Sequence, residues 1–432
     1  MNKLELIVYN VLKRNANLKL RVRDIYQSLL DFIPVKEQIS AYPITVREGY
    51  FFGFHDKSPY SHDNKFLLGS QYHIPLKTPS PNDYLTLGVF EGNGHRDFRP
   101  LTKTFAWNWH QGCMLQWRGD SHQFIFNDAE KDKVLSRMCD ISSGDIADLP
   151  EPVGAVSPDG SHAVGYSFSR VYRYMTGYGY QQGKDPQVDL GQPDKTGLYV
   201  IDLRTGKVNF LFSIKEIASL KPTASMAESY HFFSHCLFSP SSKRFVFMHR
   251  WTKSHKTQNQ RWSRLISCDL DGNNLFVFPA QEMASHIAWR DDKHLLAYSR
   301  VPQIGDHYFL FQDQNEGFVE VVGKESFSSD GHPSFSPDKK WIVTDTYPNR
   351  TRQQYLVLFD VEQGKRYDIA KLKHHKEFTS KAATSHWSCD LHPRWDRKGK
   401  YLCFDSVFTG KRSLCSIEID DLQTREPKAI VQ

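Results

Sequence analysis

The sequence predicts an all-β chain, a seven-bladed β-propeller over residues 46–432 with a short helical extension over residues 1–45 before it. Three observations carry this reading. A unit made of a short apolar run, a turn of the Ser-Pro-Asp-Gly type and a strand rich in β-branched and aromatic residues recurs seven times. Its average spacing, about 55 residues, is near that of a four-stranded blade. Several copies continue into a second hairpin of alternating apolar residues around a Gly-Lys turn, as in LYVIDLRTGKVNFLF from Leu198 and YLVLFDVEQGKRYDI from Tyr355, which supplies the outer pair of strands.

In chain order the inner hairpins are SPYSHDNKFLLGS from Ser58, MLQWRGDSHQFIFND from Met114, AVSPDGSHAVGYS from Ala155 and CLFSPSSKRFVFMHR from Cys236. IAWRDDKHLLAYSR from Ile287, PSFSPDKKWIVTDTY from Pro333 and PRWDRKGKYLCFDS from Pro393 complete the set. Pro and Asp favour a tight turn, and Gly or Lys closes it into the next strand. The opening stretch, LELIVYNVLKRNANLKLRVRDIYQSLLDFI, has apolar residues at helical spacing and reads as one or two helices capping a blade edge from outside the propeller.

Hydrophobic residues make up 39% of the 432 positions and charged residues 24%, the balance of a folded chain. The 55 Lys and Arg exceed the 49 Asp and Glu by 6, without blocks of like charge, which argues against nucleic acid and allows a local basic cleft for an anion. No run approaches the roughly 18 apolar residues of a membrane span. The segment from Leu4 to Leu12 contains Glu5 and Asn10, runs into Lys13 and Arg14 and has no small-residue cleavage site, so a cytoplasmic protein is expected. Seven cysteines without paired close spacing fit reduced thiols.

Aligning the copies on the turn brings four histidines into register. His235 precedes Phe238, His286 precedes Trp289, His332 precedes Phe335 and His392 precedes Trp395, each by three positions. The inner strand of every blade borders the central channel, so equal register means equal height, and four imidazoles are expected at one mouth. The same position is Lys57, Met114 and Val153 in the first three blades, which makes the set one-sided. Converging neutral imidazoles suit a divalent metal with an open position, although such histidines also serve blade packing. Cys389, between His386 and His392, reads as a buried thiol or as part of a separate zinc site.

Two further clusters stand out. TFAWNWHQGCMLQW places His110 and Gln111 among Trp107, Trp109 and Trp117, aromatic faces with a few polar groups, as a sugar-binding cleft requires. SFSRVYRYMTGYGYQQGKDPQVDLGQPDKTG, from Ser167, carries Arg170, Tyr172, Arg173 and Tyr174 and then a polar insertion; long irregular loops inside a compact repeat are usually functional. Arg offers a bidentate fork for a carboxylate and Tyr an acid or base. Tyr230, His231, His249 and Arg250 of the fourth blade adjoin this loop in blade order.

The motifs FHDKSPYS, TFAWNWHQGCMLQW, AVSPDGSHAVGYSFSRVYRYMTGYGY, HPSFSPDKKWIVTDTYP and CDLHPRWDRKGKYLCFDS resemble those of seven-bladed propellers related to the oligogalacturonate lyases and the propeller-type ulvan lyases, over about residues 50–420. The resemblance implies β-elimination on uronate-containing oligosaccharides or polysaccharides. It implies a cation against the carboxylate, either Arg or a divalent ion (Mn²⁺, Zn²⁺ or Ca²⁺) held at His235, His286, His332 and His392, with no nucleotide cofactor. It places His110, Arg170, Tyr172, Arg173 and Tyr174 in the chemistry; blade order adds His231 and Arg250 to them, and the channel register, the aromatic cluster and blade order set Lys57, Trp107, Trp109, Gln111, Tyr230 and His249 against the sugar. A glycosyltransferase-like or sugar-binding protein of surface-polysaccharide synthesis is the alternative, but no Gly-rich phosphate loop follows a strand and no clear Asp-x-Asp pair is present. The sequence also lacks a G-x-S-x-G elbow, an H-E-x-x-H pair and a Walker loop.

Overall fold

The recurring turn has one chemistry. In the first, third and sixth blades the hydroxyl of Ser61, Ser157 and Ser336 donates to the carboxylate two residues on, Asp63, Asp159 and Asp338, at 2.6–2.7 Å. The same hydroxyl accepts the first N–H of the next strand, from Phe66, His162 and Trp341. The carboxylate in turn accepts the N–H of Lys65, Ser161 and Lys340. Both side chains thus satisfy backbone groups that the hairpin ladder leaves open. In the seventh blade Asp396 does this alone, accepting from Lys400 and Tyr401.

The computed structural model describes residues 30, 34–254, 260–379, 386–419, 422 and 426–430. Its strands form seven antiparallel sheets arranged as a seven-bladed propeller. Blade one runs from Tyr50–Phe51 to Asp97–Thr104, blade two from Gln116–Trp117 to Ile146–Leu149, and blade three from Ala155–Val156 to Val208–Ser213. Blade four runs from Tyr230–Phe238 to Phe276–Val277, blade five from Ala284–Trp289 to Val319–Val322, and blade six from Ser334–Phe335 to Lys365–Lys373. Blade seven contributes only Arg394–Trp395, Tyr401–Ser406 and Ser413–Glu418 from its own stretch. Its outer strand is β2 (Ile44–Glu48), paired antiparallel with Ser413–Glu418, while β1 (Gln38–Ser40) adds a fifth strand to blade six. Propeller strands therefore begin at Gln38, inside the segment assigned to the extension. The helices expected in the first 33 residues lie, Leu30 apart, outside the described residues.

Ring closure is fastened by side chains. Arg47 of β2, buried, donates to the carbonyls of His95 and Gly94 in blade one and to Ser416 Oγ in blade seven, at 2.6, 2.8 and 3.1 Å. In three blades the tryptophan that ends the inner strand clasps its neighbour: Trp117, Trp289 and Trp395 donate their indole N–H to Pro59, Leu237 and Ser334 of the preceding blade. Between blades the apolar faces interdigitate, as where Phe245, Phe247 and Ile266 meet Val164, Leu198 and Val200. Full burial of such a side chain stabilises by about 1.5–3 kcal/mol. No helix among the described residues is long and apolar enough to cross a membrane.

Candidate active site at the channel mouth

The residue three positions before the aromatic end of each inner strand lies at one end of the channel, inside the strand in blades four and five and just before it in blades six and seven. His235 and His392 adopt left-handed backbone conformations, φ 51° and 45°, as does Met114 (φ 57°) at the equivalent position of blade two. Such a conformation is uncommon outside glycine, with His among the residues that tolerate it better. Ladder irregularities at Ser234/Leu237 and Ala284/Ile287 mark the same place in blades four and five.

The four aligned histidines meet there around Phe54. Its ring lies 5.0 Å from His235 and His392, 5.8 Å from His286 and 6.1 Å from His332, centroid to centroid. His286 and His332 are 4.1 Å apart, and His332 and His392 4.3 Å. A fifth imidazole, His55, joins them at 5.5 Å from both His286 and His332. It stands two residues before the aligned Lys57, which pairs with Asp56 at 2.6 Å instead.

Hydrogen bonds select the tautomers. His55 donates through Nδ1 to the Pro333 carbonyl and His392 through Nδ1 to the Gly53 carbonyl, both at 2.8 Å. His332 Nδ1 meets Asp345 Oδ1 at 2.8 Å. That buried carboxylate also accepts the backbone N–H of His332 and of His392. Nε2 of His55 and of His392 is thereby left as a bare lone pair, buried and without a hydrogen bond. Burial pushes His55, His332 and His392 well below the usual imidazole range, and the neighbouring rings add to the shift. His235, also buried, is lowered by burial and then by Arg250. At His286 burial is outweighed by Asp330, 3.1 Å away, and the pKa is raised. Burial raises Asp345 and Asp390 to about 7.

One ligand atom from each of His332, His392 and Asp390 lies within 4.8 Å of the others. Neutral imidazoles oriented by a carbonyl or a carboxylate, with an unpartnered buried Nε2, fit a divalent ion. The aligned His235 and His286 stand beside this group rather than in it, and Asp390 has no counterpart in the histidine pattern.

Next to the histidines, Asn108 Oδ1 accepts the N–H of His110 and Gln111 and folds that segment into a tight turn. The His110 ring stacks on Tyr178 at 4.6 Å with an interplanar angle of 3°, and Tyr178 reaches His235 at 5.8 Å. Burial holds His110 down at about 3, helped by Arg412, and raises Tyr178 to about 12. The charges of Arg261 and Arg250 both act on Tyr178. Arg250, held by Ser234 Oγ at 3.1 Å, is itself lowered to about 10 by burial and by Arg261. Gln111 Nε2 is buried here without a partner.

Other expected site residues are placed elsewhere. The SRVYRY segment is a helix, α1 (Phe168–Tyr174), capped by Ser167. Arg170 is fully buried and donates to the carbonyls of His231, Gln187, Val188, Leu190 and Gly191, bracing the inserted loop rather than facing a ligand. Tyr174 donates to the Val188 carbonyl and stacks on Tyr230, while Arg173 pairs with Asp189 at 3.1 Å on the surface. Tyr172 lines a small cavity with Trp107, Trp109 and His386. His231 and His249 lie inside the blade: Arg264 Nε donates to His249 Nδ1, His249 Nε2 meets His231 Nδ1 at 2.9 Å, and His231 Nε2 meets the Met226 carbonyl. Trp107 and Trp109 are buried and donate to the carbonyls of Asp83 and Lys77, so they are core and not an open sugar platform. Cys389 packs with Phe378 and Val407, and burial raises its thiol to about 12.

The fold recurs in known structures. An oligogalacturonate lyase in complex with manganese matches with a TM-score of 0.59 and 13% identity, covering 89% of this chain and 98% of its own. An oligogalacturonate lyase from Vibrio parahaemolyticus matches at 0.57 and 13%, covering 89% and 94%. The β-propeller domain of the Trilobed protease from Pyrococcus furiosus matches at 0.51 and 11%, covering 88% and 96%. At these identities the likeness is one of fold, which hosts peptidase-associated domains as well as lyases. No protein-family model and no curated relative matches the chain.

Proposed function

We propose that the protein is a cytoplasmic lyase that cleaves uronate-containing oligosaccharides by β-elimination with the help of a divalent metal. The grouping of His332, His392 and Asp390 at the channel mouth, beside the stacked His110 and Tyr178, carries the reading. The likeness in fold to a lyase in complex with manganese supports it. His332, His392 and Asp390 would hold the ion, with His55 and His286 alongside. Bound there, a divalent ion would neutralise a uronate carboxylate and acidify the proton on the adjacent carbon.

The chain's own groups divide the rest. His110, neutral because burial disfavours its cation, is the candidate base for the C5 proton. The C–H electron pair becomes the C4=C5 double bond and the C4–O4 bond breaks. Tyr178, protonated at neutral pH, is the candidate donor to the departing O4. Two neighbouring groups with pKa values driven apart are the arrangement that acid–base work requires. Arg250 and Arg261 supply positive charge for the acidic sugar.

The test is to incubate the purified protein, with and without Mn²⁺, Zn²⁺ or Ca²⁺, with a panel of uronate oligosaccharides and to follow the ultraviolet absorbance of the unsaturated product. A rise that His332→Ala abolishes is the expected result. A flat trace across the panel from protein that still binds metal overturns the proposal.

A further inference from the structure

The far ends of the inner strands form a second rim. There the blade turns are tied to one another: Arg118 Nε donates to the Gly160 carbonyl at 3.0 Å, the Asp159 N–H to Ser242 Oγ at 3.1 Å, the Ser241 N–H to Asp292 at 2.7 Å, and Asn64 to Asp396 across the ring closure. Where the turns of blades one and two meet, the contact is different. His122 Nε2 stands 3.4 Å from Asp63 Oδ2, and the His62 and His122 rings are 5.2 Å apart. His62, Asp63 and His122 each offer a ligand atom within 4.8 Å of the others.

Three observations point to a cation here. His122 Nε2 is buried and makes no hydrogen bond, although the residue is about one-third exposed at 34%. Phe66 packs edge-on against the His122 ring and fixes its plane. Asp63 Oδ1 accepts from Ser61 Oγ and the Lys65 N–H, and Oδ2 faces the imidazole. Its other neighbour, Lys65 Nζ at 3.3 Å, is on a 73% exposed side chain and is easily displaced, since a surface ion pair contributes little. Two imidazoles and a carboxylate make a nitrogen-rich donor set, which favours zinc and similar ions over calcium or magnesium and leaves a position for water.

We propose that His62, Asp63 and His122 form a second divalent-metal site, selective for Zn²⁺ or a similar first-row ion, that clips the turn of blade one to that of blade two on the face opposite the channel mouth. The proposal is independent of the catalytic reading, because His62, Asp63 and His122 share no residue with the group at His332, Asp390 and His392.

Tag-free full-length protein is stripped with a chelator, given Zn²⁺ and gel-filtered, and zinc is counted per chain. In a His332→Ala/His392→Ala background one zinc per chain is expected to remain, and His122→Gln is expected to remove it. Zn²⁺ is expected to raise the melting midpoint of that background but not of its His122→Gln derivative, and Co²⁺ to give a visible absorption band only in the former. In the otherwise unaltered chain, His62→Asn lowers the zinc count by one and leaves the elimination rate unchanged. Zinc counts and melting midpoints unmoved by both His62→Asn and His122→Gln overturn the proposal, whatever the outcome of the lyase assay.

Discussion

Arg394 and Asp405 form a fully buried ion pair, Nη2 to Oδ2 at 3.2 Å, that holds the backbone beneath the channel mouth. Arg394 donates to the carbonyls of Gly53 and Phe54, and Asp405 accepts the N–H of Phe52 and Gly53. Asp405→Ala leaves a guanidinium that cannot shed its proton. Removing one member of a buried pair costs about 3–5 kcal/mol, and two orphaned N–H groups add to this. We expect a loss of about 4–6 kcal/mol, a large share of a typical 5–15 kcal/mol stability. Arg394→Met should cost less, about 3–4 kcal/mol, because the stranded carboxylate keeps its two N–H donors. Urea titrations followed by tryptophan fluorescence measure both quantities. Equal penalties for the two variants would refute the argument.

Three further outcomes are expected. Tyr178→Phe keeps the stack on His110 but removes the proton donor, and should lower kcat for elimination by roughly 10²–10⁴ with little change in KM, read by steady-state kinetics. Burial holds His231 at about 4, so between about pH 6.5 and 4 the unfolded chain takes up a proton that the folded one refuses; this contribution is complete above pH 6.5 and should fall by roughly 3 kcal/mol across that window, a slope that His231→Gln flattens in urea midpoints measured against pH. Gly53 has φ 126° and its missing Cβ would lie 2.7 Å from the Gln111 carbonyl carbon, so Gly53→Ala should push the His110 turn away and reduce both melting midpoint and elimination rate, as calorimetry and the absorbance assay would register.

The blade repeat was legible because its turn is local: a Ser, an Asp and the backbone between them settle the geometry within a few residues, whatever surrounds them. The histidine register followed from it, since equal position in a repeat is equal height in the ring. His55 escaped because blade one carries its imidazole two residues earlier than Lys57, outside the alignment. Asp345 and Asp390 escaped because one ends a second strand and the other precedes blade seven, and only the closed ring brings them under the histidines. The assignments of His231 and His249 rested on adjacency of blades and that of Arg170 on the long inserted loop, and neither tells a side chain facing the channel from one packed inside the fold. The closing strand left no mark either, because β2 pairs with a partner at the other end of the chain.

That last pairing orders events in time. During synthesis β1 and β2 leave the ribosome among the first described residues, yet the partner of β2, Ser413–Glu418, emerges last of the described strands. At roughly 5–20 residues per second β2 waits for tens of seconds as an unpaired strand, while six blades assemble between it and its partner. A nascent propeller of this kind is an open arc with a loose end, and a nick or a helper protein acting on residues 38–48 in that interval would decide whether the circle shuts.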